Sequence, residues 1–340
     1  MAGLYEDAFV EQLRQGLVAT AHEWGLPPHA SITTLNLSEN ATFKAVDPET
    51  GHPVILRVHR PGYHSRTEIE SELAWIHALR RDGIVTTPKP LPCGNGDAIA
   101  VMQAAGAARR VVAFEFMSGA KPDTRAESIV PAFRELGAIS ARLHAHSRAW
   151  RRPAEFRRKV WNYEAMLGSR PLWGDWRDAL GLTADGRATL GRACRVLDEK
   201  LTRYGEGPER FGLVHADLRL DNLLVDGDRL GVIDFDDCGF SWFMYDFAAA
   251  VSFFEEDPIV PALQDAWVEG YRTVAPLAEE DVAFLPTFIL LRRILLTAWI
   301  ASHAETPTAQ ALGSAFTDMT VQLADAYLTQ AERSVANQQG

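Results

Sequence analysis

The dominant hydrophobic periodicity of this 340-residue chain changes near residues 119–122, and that change limits the folds open to it. Before it, apolar residues fall in strand-length runs at 32–37, 41–46, 54–59, 98–102 and 111–117. After it they recur at helical spacing, as in Val130, Phe133, Leu136, Ile139 and Leu143. Periods of two and 3.6 residues belong to strands and helices respectively. The N-terminal half also carries two helical stretches, 5–24 and 66–81, and the C-terminal half a β island between 211 and 240. The turn residues Asp47 to Gly51 predict an antiparallel pair, and Gly94 to Asp97 a hairpin. The expected class is α+β, with residues 1–113 as a β-rich lobe, 114–122 as a hinge and 123–340 as a mainly helical lobe.

The β island carries the chemistry. His215-Ala216-Asp217-Leu218-Arg219-Leu220-Asp221-Asn222 follows one apolar strand, and Ile233-Asp234-Phe235-Asp236-Asp237 follows another. Phosphoryl transfer needs a group to orient the acceptor hydroxyl and oxygen ligands for Mg²⁺ on the nucleotide phosphates. Asp217 suits the first task. Asn222 and Asp234 supply the hard oxygen donors that Mg²⁺ takes. Loop-capping Asp and Asn residues would be the bland explanation of one such position, but not of the ordered set.

The string resembles the catalytic loop and metal-binding segment of the aminoglycoside phosphotransferase and choline kinase superfamily. That superfamily has a bilobal, protein-kinase-like fold, and its usual form is H-G-D-x-x-x-x-N followed by I-D-F/W-D/E. Ala216 stands where Gly is commoner. Tyr245-Asp246-Phe247-Ala248 and the helix ending in Leu143-His144 also resemble family segments, and the likeness runs from about residue 30 to 300. The N-terminal wording is most similar to homoserine-kinase-like and stress-response kinases. The resemblance implies ATP as co-substrate with Mg²⁺, bound between the lobes. It implies that Asp246 buttresses the catalytic loop, and His215 is expected to hold that loop by a hydrogen bond.

A kinase also needs a basic residue on a strand to hold phosphates, oriented by a helix Glu. Arg57 stands where the family has Lys; it keeps the charge and adds a planar fork. In the helix 66–81, Glu72 falls in the middle of the face made by Ile69, Trp75, Ile76 and Leu79. A carboxylate in an apolar stripe is costly unless paired, so Arg57 is its expected partner. Glu68 and Glu70 are expected to make surface ion pairs. The segment from Ser38 and Asn40 to Thr42 would cover the phosphates, or else be a plain hairpin turn. Adenine would bond main chain between Glu115 and Met117.

Only eleven residues separate Asp234 from Asp246, too few for a long peptide-docking segment. A small-molecule acceptor is therefore expected. Carboxylates at Asp236, Asp237 and Glu255 would suit an amine-bearing one, such as an aminoglycoside or amino alcohol. A stress-response Ser/Thr protein kinase and a nucleotide-binding pseudokinase are the alternatives. Arg292 and Arg293 interrupt the most apolar stretch, and at least one should meet a buried carboxylate.

The remaining composition excludes other classes. A net charge of -11 repels phosphate backbones, so no nucleic-acid partner is expected. The stretch 288–300 is too short to span a bilayer and reads as a buried helix, so no membrane is expected either. Three cysteines without C-x-x-C spacing and a first segment without a basic, apolar leader point to the cytoplasm. Oligomeric state stays open.

Overall fold

The computed structural model describes residues 7–37, 40–123, 125, 128–227 and 229–338. It divides into two compact units. The first comprises Met1–Ala120, Arg151–Arg158 and Gly231–Asp236; the second Lys121–Trp150, Lys159–Leu230 and Asp237–Gly340. Two short later segments thus join the N-terminal unit, which a division at a single hinge does not anticipate.

The first unit is built on a six-stranded antiparallel sheet. Its strands are β1 (Ser31–Leu37), β2 (Ala41–Val46), β3 (Pro53–Val58), β4 (Pro90–Leu91), β5 (Ala100–Ala104) and β6 (Ala107–Glu115). The order is β1-β2-β3-β6-β4, with β5 also on β6. The Gly94 to Asp97 turn therefore does not close a hairpin of its flanking strands. β4 and β5 both pair with β6, because the β5–β6 hairpin forms at Ala105-Gly106 instead.

Helix α1 (Asp7–Thr20) passes into a 3₁₀ turn at Ala21–Trp24, where left-handed Gly25 ends it. Leu13 and Leu17 pack into a core with Phe43, Leu56, Met102 and Val111. Helix α2 (Arg66–Arg81) opens with a capping box: Ser65 accepts the Glu68 N–H, and the Glu68 carboxylate accepts the Ser65 N–H. Glu68 is thus a cap rather than mainly a surface ion partner. Glu70 does pair with Arg66, at 2.7 Å. Trp75 of α2 meets Phe235 edge-on, with centroids 5.5 Å apart.

The second unit is mainly helical. Its helices are α3 (Ile129–Ala149), α4 (Tyr163–Met166), α5 (Ala184–Tyr204), α6 (Tyr245–Ala250), α7 (Val260–Arg272), α8 (Glu279–Ala283), α9 (Leu285–Ser302) and α10 (Pro307–Gln338). Gly313, at φ +52°, interrupts α10. β7 (Phe211–Val214) pairs antiparallel with β10 (Gly239–Trp242), while β8 (Leu223–Asp226) and β9 (Arg229–Val232) lie on either side of Gly227. Asp228 of the expected turn lies outside the described residues. Helices α3 and α7 cross closely because glycines stand at the crossing: a Cβ at Gly137 would overlap the Trp267 carbonyl, and one at Gly270 the Arg134 carbonyl.

Helix α9 is buried along nearly its whole length. Glu279–Ser302 is long and apolar enough to cross a membrane by length and composition, but most of it is buried within the protein. Cys93, Cys194 and Cys238 are buried, and among the described residues none of the three forms a disulfide.

Candidate active site

In the first unit, β3 delivers Arg57 and α2 delivers Glu72. The side chains are 5 % and 0 % exposed, so each needs the other. Arg57 Nη2 donates to both Glu72 oxygens, at 2.7 and 2.6 Å. Nη1 donates to Asp234 Oδ1 at 3.2 Å. Burial alone would lower the Arg57 pKa, but the surrounding Glu72, Asp236 and Asp234 raise it well above its ordinary value. The ion pair that the helix phase points to is therefore present.

Asp234 itself sits at φ +62°, a left-handed backbone that a non-glycine residue adopts at a cost. Its side chain is 40 % exposed, which sets it apart from the buried Glu72 and Asp236.

Asp236 is placed differently from the acceptor wall expected of it. Its Oδ2 accepts from Asn40 Nδ2 at 2.6 Å and lies 3.3 Å from His64 Nε2. Burial pushes its pKa up, but His64 and then Arg57 hold it well below the usual carboxylate range. Its carboxylate serves these protein partners. Asn40 is spent likewise, since its Oδ1 also accepts the Arg60 N–H. Ser38, the other expected phosphate contact, lies outside the described residues.

Glu115 ends β6 with an exposed side chain, 3.2 Å from Lys89 Nζ. Its N–H donates to the Lys89 carbonyl, so that donor is engaged within the protein.

In the second unit, β7 ends at Val214 and the chain turns sharply. Ala216 is at φ +66°, which explains why glycine is commoner there. Asp246 of α6 holds this turn: its Oδ1 accepts the Ala216 N–H at 2.8 Å and its Oδ2 the His215 N–H at 3.3 Å. His144 Nε2 lies 3.0 Å from the same Oδ2, and its Nδ1 is 3.1 Å from the Tyr271 hydroxyl. His215 Nδ1 accepts the Asp217 N–H at 3.2 Å.

The Asp217 carboxylate is held from several sides. Asn222 Nδ2 donates to Asp217 Oδ2 at 2.7 Å and to its carbonyl at 2.9 Å. Arg292 Nη2 donates to Oδ1 at 2.6 Å, and Arg219 Nε to Oδ2 at 3.2 Å. Burial raises its pKa, but Arg219, Arg292 and His215 outweigh that and hold it below the usual range. Asp217 is thus an ionised hydrogen-bond acceptor and a weak base, which suits orientation of a hydroxyl.

Both partners of the Asn222 amide nitrogen are acceptors, so the nitrogen must face them and the amide oxygen is turned away. That oxygen and the half-exposed Asp234 carboxylate are hard donors of the kind Mg²⁺ takes.

Two expected features resolve differently. Glu255 is buried and bonded to Arg293 Nη1, while Glu256 lies 2.7 Å from Arg293 Nη2, so the acidic run is an ion-pair partner rather than an open wall. Asp237 is partly exposed, and its carbonyl accepts from Trp161 Nε1. Sequence reasoning flagged Arg292 as a buried cation but could not find its partner, because 75 residues separate it from Asp217.

Comparison with known proteins points to kinases. A solved structure described as a microcompartment-associated aminopropanol kinase is 45% identical and superposes with a TM-score of 0.85, covering 92% of this chain and 97% of that one. Amicoumacin kinase of Bacillus subtilis (strain 168) is 27% identical over 271 residues, 76% of each chain. A homoserine kinase of Neisseria meningitidis serogroup B is 41% identical over 158 residues, 44% of this chain and 47% of the relative. Residues 32–279 match the Phosphotransferase enzyme family, and the chain belongs to that family, as a kinase with a protein-kinase-like fold.

Proposed function

We propose that this protein transfers the γ-phosphoryl group of ATP, with Mg²⁺, to the hydroxyl of a small amino alcohol. The observation that carries the reading is the Asp217 carboxylate, kept ionised and fixed by Asn222 and Arg292. The choice of acceptor is supported by the 45% identity to an aminopropanol kinase.

In this reading Asp217 accepts the hydrogen bond of the acceptor hydroxyl and aims its oxygen at the phosphorus. Arg57, oriented by Glu72, holds phosphate oxygens. Asn222 and Asp234 hold the metal, which when bound neutralises charge developing on the phosphates. Asp246 and His215 keep the loop in shape. Asp237 remains a candidate for the acceptor amine. The cytoplasm, where ATP and Mg²⁺ are plentiful, is the proposed compartment.

The test is a coupled ADP-release assay over 1-amino-2-propanol, ethanolamine, choline, homoserine and an aminoglycoside. Turnover of one or more amino alcohols, lost on chelating Mg²⁺, is expected. ADP release with none of them, together with labelled phosphate appearing on protein, would overturn the reading.

A further inference from the structure

Helix α9 carries two adjacent arginines in an otherwise apolar run. Both are at most 2 % exposed. Burying a guanidinium costs several kcal/mol unless its donors are met, so each should have a distinct use.

Arg293 bonds Glu255, Glu256 and the Thr320 hydroxyl, and lies 3.7 Å from the Phe316 ring centroid. None of these belongs to the catalytic loop. Its neighbour, about 100° around the helix, faces different groups. Arg292 Nε donates to Ser252 Oγ at 3.0 Å, and Nη1 to the Ala216 carbonyl at 2.8 Å and the Tyr245 hydroxyl at 3.0 Å. Its Nη2 is on Asp217 Oδ1 at 2.6 Å. The Trp173 and Tyr245 rings lie 5.7 and 5.5 Å from its guanidinium carbon.

We propose that Arg292 is the positioning residue of Asp217: its packed guanidinium fixes the carboxylate against the Ala216 turn, so that the group meets the acceptor hydroxyl in one orientation. This inference rests on the assignment of Asp217 to the acceptor hydroxyl. Asn222 holds Oδ2, and Arg292 holds Oδ1. Arg219 is different, because its side chain is 25 % exposed and it divides its donors between Asp217 and Asp221. It is the donor that an arriving hydroxyl can displace. Arg292 cannot yield, since all three of its nitrogens are engaged and rings lie beside it. A lysine there keeps the charge but cannot reach Ser252, Tyr245, Ala216 and Asp217 together.

Arg292→Lys and Arg293→Lys form a matched pair, equally buried and on one helix. Steady-state kinetics on the best wild-type acceptor, direct Mg·ATP binding and thermal midpoints should be measured for both. Arg292→Lys should lose about 100-fold in kcat, the scale of an ångström-level misplacement, with little change in either KM. Arg293→Lys should lose stability with a much smaller loss of kcat. Equal kcat losses in the two, or a loss in Arg292→Lys that appears only in KM, would overturn the proposal. If Arg292→Lys does not fold, Tyr245→Phe/Ser252→Ala removes two of its partners while keeping the cation. A kcat loss with unchanged KM supports positioning, and unchanged kcat overturns it. Wild-type turnover on the acceptor panel tests the proposed function separately. If no acceptor is used, the same ratios are read on slow ATP hydrolysis.

Discussion

Asp246 accepts the N–H of Ala216 at 2.8 Å, and Ala216 stands at φ +66°. A buried carboxylate thereby keeps a β-carbon where L-residues are disfavoured, immediately before Asp217. A left-handed backbone costs a non-glycine residue about 1–2 kcal/mol. Ala216→Gly should therefore stabilise the protein by up to about 1 kcal/mol after the entropy of glycine is counted, read as a higher urea midpoint at unchanged m. Asp246→Asn should do the reverse, because the amide cannot match a carboxylate that accepts two N–H groups. Its kcat should fall with stability.

Asp217→Asn should lower kcat by roughly 10²–10⁴-fold, the range for a positioned proton acceptor. Nucleotide affinity should largely survive, as isothermal titration with Mg·ATP would show. Wild-type-like turnover in this variant would refute the assignment.

Glu72→Gln should destabilise the protein by about 3–5 kcal/mol, the cost of breaking a buried ion pair. Among the carboxylates of the described residues, Arg57 would keep Asp234 and Asp236, at 3.2 and 3.8 Å. Denaturant unfolding measures the loss, and KM for ATP should rise alongside it.

Acid should weaken the fold through His59. Burial first and Arg57 second hold its pKa well below its ordinary value, so it is neutral when folded. The unfolded chain protonates it near pH 6.5. Below that pH the unfolded state binds the extra proton, so stability falls as pH falls. His64 works oppositely: burial lowers its pKa, but Asp236 more than offsets this and the net shift is upward. Its contribution is present below about pH 6.5 and lost as pH rises through its folded pKa. His59→Gln should flatten the dependence of thermal midpoint on pH between 7 and 5, and His64→Gln should remove the loss of stability that sets in as pH rises above about 6.5.

Gly137→Ala should separate α3 from α7, since the added methyl group meets the backbone carbonyl of Trp267, which cannot rotate away. A loss of about 1–3 kcal/mol is expected, as for other overpacked cores. Calorimetry would detect it, and an unchanged midpoint would show that the helices can part freely.

Much of this protein is legible from order along the chain. Helix α2 is predicted at 66–81 and found at Arg66–Arg81, because its apolar period is regular and Ser65 and Glu68 form a local cap. Glu72 announces its buried partner because a carboxylate in an apolar stripe must have one. β10 is not distinguishable in the sequence from the loop that precedes it, since its four residues, Gly239–Trp242, are too few to show a period. The pairing of β4 and β5 with β6 is not legible in the sequence, because turn residues report local bending and not which strand lies alongside.

Sequence by itself pointed to the reaction type, since the ordered set of Asp217, Asn222 and Asp234 is a one-dimensional pattern that resembles a phosphotransferase catalytic loop and metal-binding segment. Tertiary structure alone decided which charges meet. Asp236 went to Asn40 and His64, Glu255 to Arg293, and Asp217 to Arg292. The reason is physical: a buried charge must find its counter-charge wherever packing brings one, and that distance in space is not written in the distance along the chain.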